Sequence, residues 1–350
     1  MRVPQWLLAC VLGVTILGVH DVRAVASADH PRILTAPGDR RGEEQTFVTF
    51  PEWFLVFSPA EYAEFVRAHT PNEFCFWGHI GQFWSAYASV IHETRVRHEP
   101  TNWGYHVMIV VIGVSTTVEY AIRSAYETVV GRISAATAGT LTAEDDYGAK
   151  VAQEYVDFIR VRPWYEFDFV SRLKGLWTHT DLFGPHLLRK WERKYALTSE
   201  YLVKAIYGWL IGKATGAAYD PVIPTTSVVV DRWPVCPETP AGVTVVSKSS
   251  DDETLLALPR YEPFRAPLTA LARCGARFSE IAGNRTVILM SVIGRTSAPP
   301  PPDAQVMTRQ PIITQPGRER LVLIVPVAEL AQTLVGFDSD GTALEHIFDY

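Results

Sequence analysis

The chain has 350 residues, 47% of them hydrophobic and 20% charged, which is ample for a sizeable core and excludes an intrinsically disordered chain. Its formal net charge is −6 and no basic cluster occurs, so nucleic acid is not an expected partner. The four cysteines lack CxxC spacing, which argues against a zinc motif, a dithiol redox site or a dense disulfide framework.

Residues 1–28 read as a signal peptide or a membrane anchor. Arg2 precedes a charge-free apolar stretch from Trp6 to Val19, and Ala24-Val25-Ala26-Ser27-Ala28 offers the small residues that suit a peptidase cut before Asp29. Residues 29–45, short of apolar side chains and marked by Pro31, Pro37 and Gly38, read as an extended tether. If the chain is exported, Cys236 and Cys274 are the pair placed to bridge; the alternative is inert, partly buried thiols.

From residue 46 to 219 the pattern is helical and aromatic. The region holds Trp53, Trp77, Trp84, Trp103, Trp164, Trp177, Trp191 and Trp209, each able to bury a large area. Ser58-Pro59-Ala60-Glu61 has the form of a helix cap, and Thr142 with Asp145 opens a helix that Pro163 closes. A further helix is expected after Thr198 or Ser199. The stretches Phe74–His92 and Asn102–Val118 contain no Asp, Glu, Lys or Arg, so they read either as a surface-seated helical pair or as a membrane hairpin.

Five prolines, Pro221, Pro224, Pro234, Pro237 and Pro240, make residues 220–242 an irregular link. Beyond it, over residues 243–350, strands are expected at Thr254–Leu258, Arg277–Ile281, Thr286–Ile293, Pro311–Thr314, Leu321–Val325 and His346–Phe348. Helices are expected at Pro263–Arg273 and Pro326–Leu334, with Gly283-Asn284 as a hairpin turn and residues 299–311 as an insertion. The fold class is therefore α+β: an aromatic-rich helical domain followed by a ferredoxin-like, split βαβ domain.

Three groups of residues carry candidate chemistry. Gly208, Gly212 and Gly216 fall four apart and make a smooth helical stripe, which suits a membrane or oligomer interface or else a close crossing inside the domain. Arg160, Arg162, Trp164, Tyr165, Glu166 and Asp168 gather around a helix break. The arginines and aromatics could bind an anionic or apolar ligand, and the two carboxylates could serve as acid or base; the plainer alternative is a latch between helices. His79, His92 and His106 offer imidazoles without metal-ligand spacing and equally suit hydrogen bonding in a core, so neither a metal nor a cofactor is expected.

No nucleophile elbow or activated cysteine is legible. The sequence expectation is an exported or anchored cell-envelope protein, periplasmic or otherwise extracytoplasmic, that binds or scaffolds at a membrane surface or on an envelope protein. The alternatives are an envelope enzyme using residues 160–168 and a transporter component with a hairpin at residues 74–118.

Overall fold

The computed structural model describes residues 34–218, 224–232, 236, 238–248, 253–297, 299–301, 304–337 and 342–349. The leader at 1–28 and the start of the tether lie outside the described residues, as does the burial of Gly216.

The first part of the chain is helical: α1 (Gln45–Phe65), α2 (Phe76–Val96), α3 (Trp103–Tyr126), a π-helical turn (Glu127–Gly131) leading into α4 (Arg132–Ala138), α5 (Ala143–Ile159), α6 (Phe169–His179) and α7 (Leu187–Ala218). The second part forms two antiparallel sheets. β1 (Thr225–Arg232), β2 (Thr244–Lys248), β3 (Thr254–Pro259), α8 (Arg265–Arg273) and β4 (Arg277–Ile281) build the first, in the order β2-β3-β1-β4. β5 (Val287–Arg295), β6 (Gln305–Pro311), β7 (Arg318–Pro326), α9 (Leu330–Gly336) and β8 (Ala343–Ile347) build the second, in the order β6-β7-β5-β8. The two halves thus repeat one βββαβ topology. One apolar cluster joins them, with Val228 and Leu256 from the first sheet, Leu268 and Leu330 from the helices, and Met290 and Leu323 from the second sheet.

The second sheet is buried on both faces. Ile288, Met290 and Val292 enter the shared core, whereas Leu289, Val322 and Ile324 meet Phe47, Phe50, Trp53 and Phe57 of α1. Two apolar faces explain why β5 and β7 read as nearly continuous hydrophobic runs rather than alternating ones. From Leu34 onward the chain forms one compact unit.

The α+β class is the architecture observed, but its sheet arrangement differs from a ferredoxin-like layer. Strand β1 occupies residues expected to be irregular link, because the prolines bracket the β-branched run Thr225–Val230 instead of interrupting it. β6 lies inside the expected insertion and ends at Pro311; it is an edge strand, where proline is tolerated. The turn at Gly283-Asn284 forms, with Ile281 and Asn284 exchanging backbone hydrogen bonds of 2.9 and 2.8 Å, and Gly283 takes φ +88°. Its flanking strands nevertheless join different sheets.

Helix boundaries also shift. α1 runs through Ser58 and Pro59, and α7 begins at Leu187, well before Thr198. At Thr142 the expected start is present as a full capping box with Asp145. The described part of the tether is held against β4: Thr35 N donates to Glu280 Oε1 at 3.0 Å and Arg41 N to the Ala282 carbonyl at 2.8 Å. Cys236 and Cys274 form a disulfide, tying the segment after β1 to the end of α8.

Candidate functional site

Within the helical body, a set of paired charges is buried while many apolar side chains of α3 and α7 are exposed. α3 and α7 run antiparallel, a direction set by ion pairs whose partners ascend on one helix as they descend on the other. Lys204 Nζ meets Glu119 at 3.4 Å and Glu200 at 2.7 Å, Arg123 meets Glu200 at 3.4 Å, and Arg193 meets Glu127 at 2.9 Å. Farther along, Arg189 holds Asp145 of α5 through two hydrogen bonds, at 2.7 and 3.2 Å, and Glu192 at 3.1 Å. Lys190 and Lys194 converge on Glu144 at 2.9 and 3.5 Å.

Such charges are tolerable in a core only when paired and hydrogen bonded. Burial by itself would raise Glu200, but Arg123 and Lys204 hold its carboxyl down to about 2. At Glu127 burial wins over Arg193, and the carboxyl is raised.

The outward faces of the same helices are apolar. On α3 they comprise Trp103, Val107, Val111, Val114, Val118 and Ile122, at helical spacing, with Trp103 75% and Ile122 65% exposed. On α7 they comprise Leu188, Trp191, Tyr195, Leu202, Ile206 and Trp209, with Trp209 62% exposed. The continuous helical segment Trp103–Ala138 is long and apolar enough to cross a membrane, yet only 17% of its most apolar stretch is buried.

A second buried polar chain links this body to the second sheet. Ser58 Oγ lies 3.0 Å from His79 Nδ1 and 2.7 Å from the Tyr120 hydroxyl. His79 Nε2 faces Glu61 at 3.7 Å, Glu61 accepts from Arg320 at 3.1 Å, and Arg320 grips Glu345 through two hydrogen bonds, at 2.6 and 2.8 Å. Serine, histidine and glutamate are the residue types of a hydrolytic triad, but Ser58 and His79 are at most 1% exposed, so no substrate reaches the hydroxyl. Burial, followed by the Arg320 charge, depresses His79 to about 4 and keeps it neutral. The chain is a polar connection between α1, α2, α3 and the sheet.

A cleft of about 290 Å³ opens where α2 meets α3, lined by Glu44, Arg95, His98, Glu99 and His106 among others. Burial and the neighbouring Glu43 and Glu44 raise Glu99, burial lowers His106, and the Tyr87 hydroxyl lies 3.0 Å from His106 Nδ1. Of the histidines singled out in sequence, His106 lines this cleft, His79 is sealed in the core, and His92 is exposed at the end of α2. No group of three His, Cys, Asp or Glu side chains suited to a metal occurs among the described residues.

The segment at residues 160–168 is built as a joint. Asp168 caps α6, accepting from Ser171 N at 3.0 Å, and the hydrogen bonds from Ser171 lower its pKa. Glu166 is exposed, Arg160 pairs with Asp157 at 3.6 Å, and Arg162 lies over Phe158. Trp164 stacks on Tyr207 with ring centroids 5.3 Å apart. Tyr165 crosses the glycine stripe: a Cβ on Gly208 would lie 3.2 Å from the Tyr165 carbonyl oxygen, and one on Gly212 3.7 Å from its ring. The contact made by these two glycines is therefore within the chain, and the structure brings two separately noted motifs together there. The Glu200–Lys204 side of the ion-pair cluster was not among the expectations drawn from the sequence. The i,i+4 spacing of Glu200 and Lys204 was its visible signal.

No protein-family profile, no curated protein and no solved structure matches this chain.

Proposed function

We propose that the protein is an envelope-located binding or scaffold protein seated on a membrane surface. One observation carries this reading: the long helical segment Trp103–Ala138 presents its apolar side chains outward instead of packing them into the core. Support comes from the leader-like residues 1–28 and from the Cys236–Cys274 disulfide, a bond that persists in oxidising compartments.

The test is flotation of a chain beginning at Asp29 with phosphatidylcholine vesicles containing phosphatidylglycerol. Removing residues 1–28 leaves the compact unit that starts at Leu34 whole and takes away the competing apolar segment. Co-flotation is expected; a monomer that stays at the bottom of the gradient sinks the proposal.

A small-molecule site is the second reading, favoured by the cleft at Glu44, Glu99 and His106, where a raised carboxyl and a lowered imidazole line one opening. Glu99→Gln should abolish a retained small mass in native mass spectrometry if that reading is right. The enzyme reading of Glu166 and Asp168 is tested by replacing both with their amides and following cellular function at unchanged folding.

A further inference from the structure

We infer that α7 forms the second half of the membrane face and that α3 and α7 lie flat in the bilayer interface rather than crossing it. The inference rests on the reading above, that α3 meets lipid, and adds a second helix, an orientation and a water-facing side.

Seven charged residues between Leu187 and Ile211 make α7 look unlike a lipid-facing helix in sequence. The fold turns all of them inward, and the most exposed of these side chains, Glu200, is only 25% accessible. They also belong to a balanced set. Arg123, Arg189, Lys190, Arg193, Lys194 and Lys204 face Glu119, Glu127, Glu144, Asp145, Glu192 and Glu200, so the interior behind the apolar face carries no net charge. A neutral, paired interior can border a low-dielectric medium, whereas an unbalanced one cannot.

The face is larger than an ordinary water-facing patch. About 25 residues at 1.5 Å each give ~37 Å of length, and two packed helices are roughly 20 Å wide, so the area is about 700 Å². The largest apolar patch on a soluble monomer is typically about 300–600 Å².

Three features select a flat placement. First, α5 lies beside α7 and runs in the same direction, as the Asp145–Arg189 pair and the Tyr155–Lys204 contact show, and it displays Lys150 71% and Asp157 60% exposed. If α3 and α7 crossed the bilayer, those charges would stand in hydrocarbon. Second, Glu119, 43% exposed and paired with Arg123 and Lys204, falls midway along the continuous helical segment Trp103–Ala138, where a crossing helix would hold it at the bilayer centre. In the interface it reaches head groups and water. Third, the exposed tryptophans are spread along the face. In the register of the Glu119–Lys204 and Arg123–Glu200 pairs, Trp209 falls level with Val114, well inside the length, while Trp103 and Trp191 sit toward opposite ends. Indole favours the interface, so a crossing pair would confine it to two belts.

The test places single nitroxide labels on the full chain, with Cys10 and Cys75 replaced by serine, at Val114, Ile122, Leu202, Ile206 and Lys150. The protein is reconstituted in phosphatidylcholine vesicles containing phosphatidylglycerol, and accessibility to oxygen against a nickel chelate reports depth. The expected result is one shared depth, about 5–10 Å below the head groups, for the four labels on α3 and α7, with the Lys150 label in water. A depth that rises and falls along the helices overturns the flat placement and leaves the membrane reading standing. Lipid-protected α3 labels with water-accessible α7 labels overturn the role of α7 alone. Water-accessible labels on both helices overturn this inference and the membrane reading together. Labels shielded from oxygen and broadened by spins on another chain show a second copy covering the face, and also overturn it.

Discussion

Ser58 and Pro59 carry the local signature of a helix start, and the chain runs helically through both. The serine hydroxyl is occupied by His79 and Tyr120, and burial of α1 between the second sheet and its neighbouring helices outweighs the backbone hydrogen bond that Pro59 cannot donate. His79 makes this buried group measurable. Its folded pKa of about 4 lies below the ordinary 6.5, so between those values the unfolded chain binds a proton that the folded chain refuses. Stability is complete above pH 6.5 and is lost as pH falls toward 4, by about 2 kcal/mol near pH 5. Urea titrations of His79→Gln should show a shallower loss between neutral pH and pH 5 by that amount. Gly208 gives a second measurement. Gly208→Ala forces a Cβ against the Tyr165 backbone and should lower stability by about 1–2 kcal/mol despite the better helix propensity of alanine, whereas Gly212→Ala meets only ordinary contact and should gain up to about 1 kcal/mol.

At the scale of elements, α7 is decided by its partners. Its run from Arg189 to Lys194 alternates no apolar stripe that would mark it as buried, and the helix was legible only from Thr198 on; Asp145, Glu144 and Glu127 arrive from distant parts of the sequence to neutralise it. Arg189→Met leaves Asp145 in the core without its cation and should cost about 3–5 kcal/mol in chemical denaturation, while Arg160→Met, at an exposed pair, should change stability by less than about 1 kcal/mol. The disulfide acts on a different element. Cys236 and Cys274 lie 38 residues apart, and replacing both by serine should lower stability by about 4 kcal/mol in the chain-entropy account. An equal loss on adding reductant to the unaltered chain would confirm that the bridge, not the side-chain exchange, is responsible.

For the whole molecule, the membrane contact rests on apolar area and not on attraction between charges, since the chain is acidic and the charges behind the face cancel. Vesicle binding should therefore change by less than about twofold between low salt and 1 M salt, at which exposed electrostatic interactions are screened within about 3 Å. A steep loss with salt would point to basic side chains outside this face instead. The sequence by itself determined the α+β class, the Thr142 cap, most strands after Thr254 and the aromatic weight of the helical part, because periodicity, capping and turn chemistry act over a few residues. Only the tertiary structure decided that β1 joins β3 and β4, that Tyr165 crosses Gly208, that Ser58 serves His79, and that the charges of α7 turn inward while its apolar residues turn out. Each of these depends on a partner far away in sequence, and the burial or exposure of a side chain is fixed by what packs against it, not by its own neighbours along the chain.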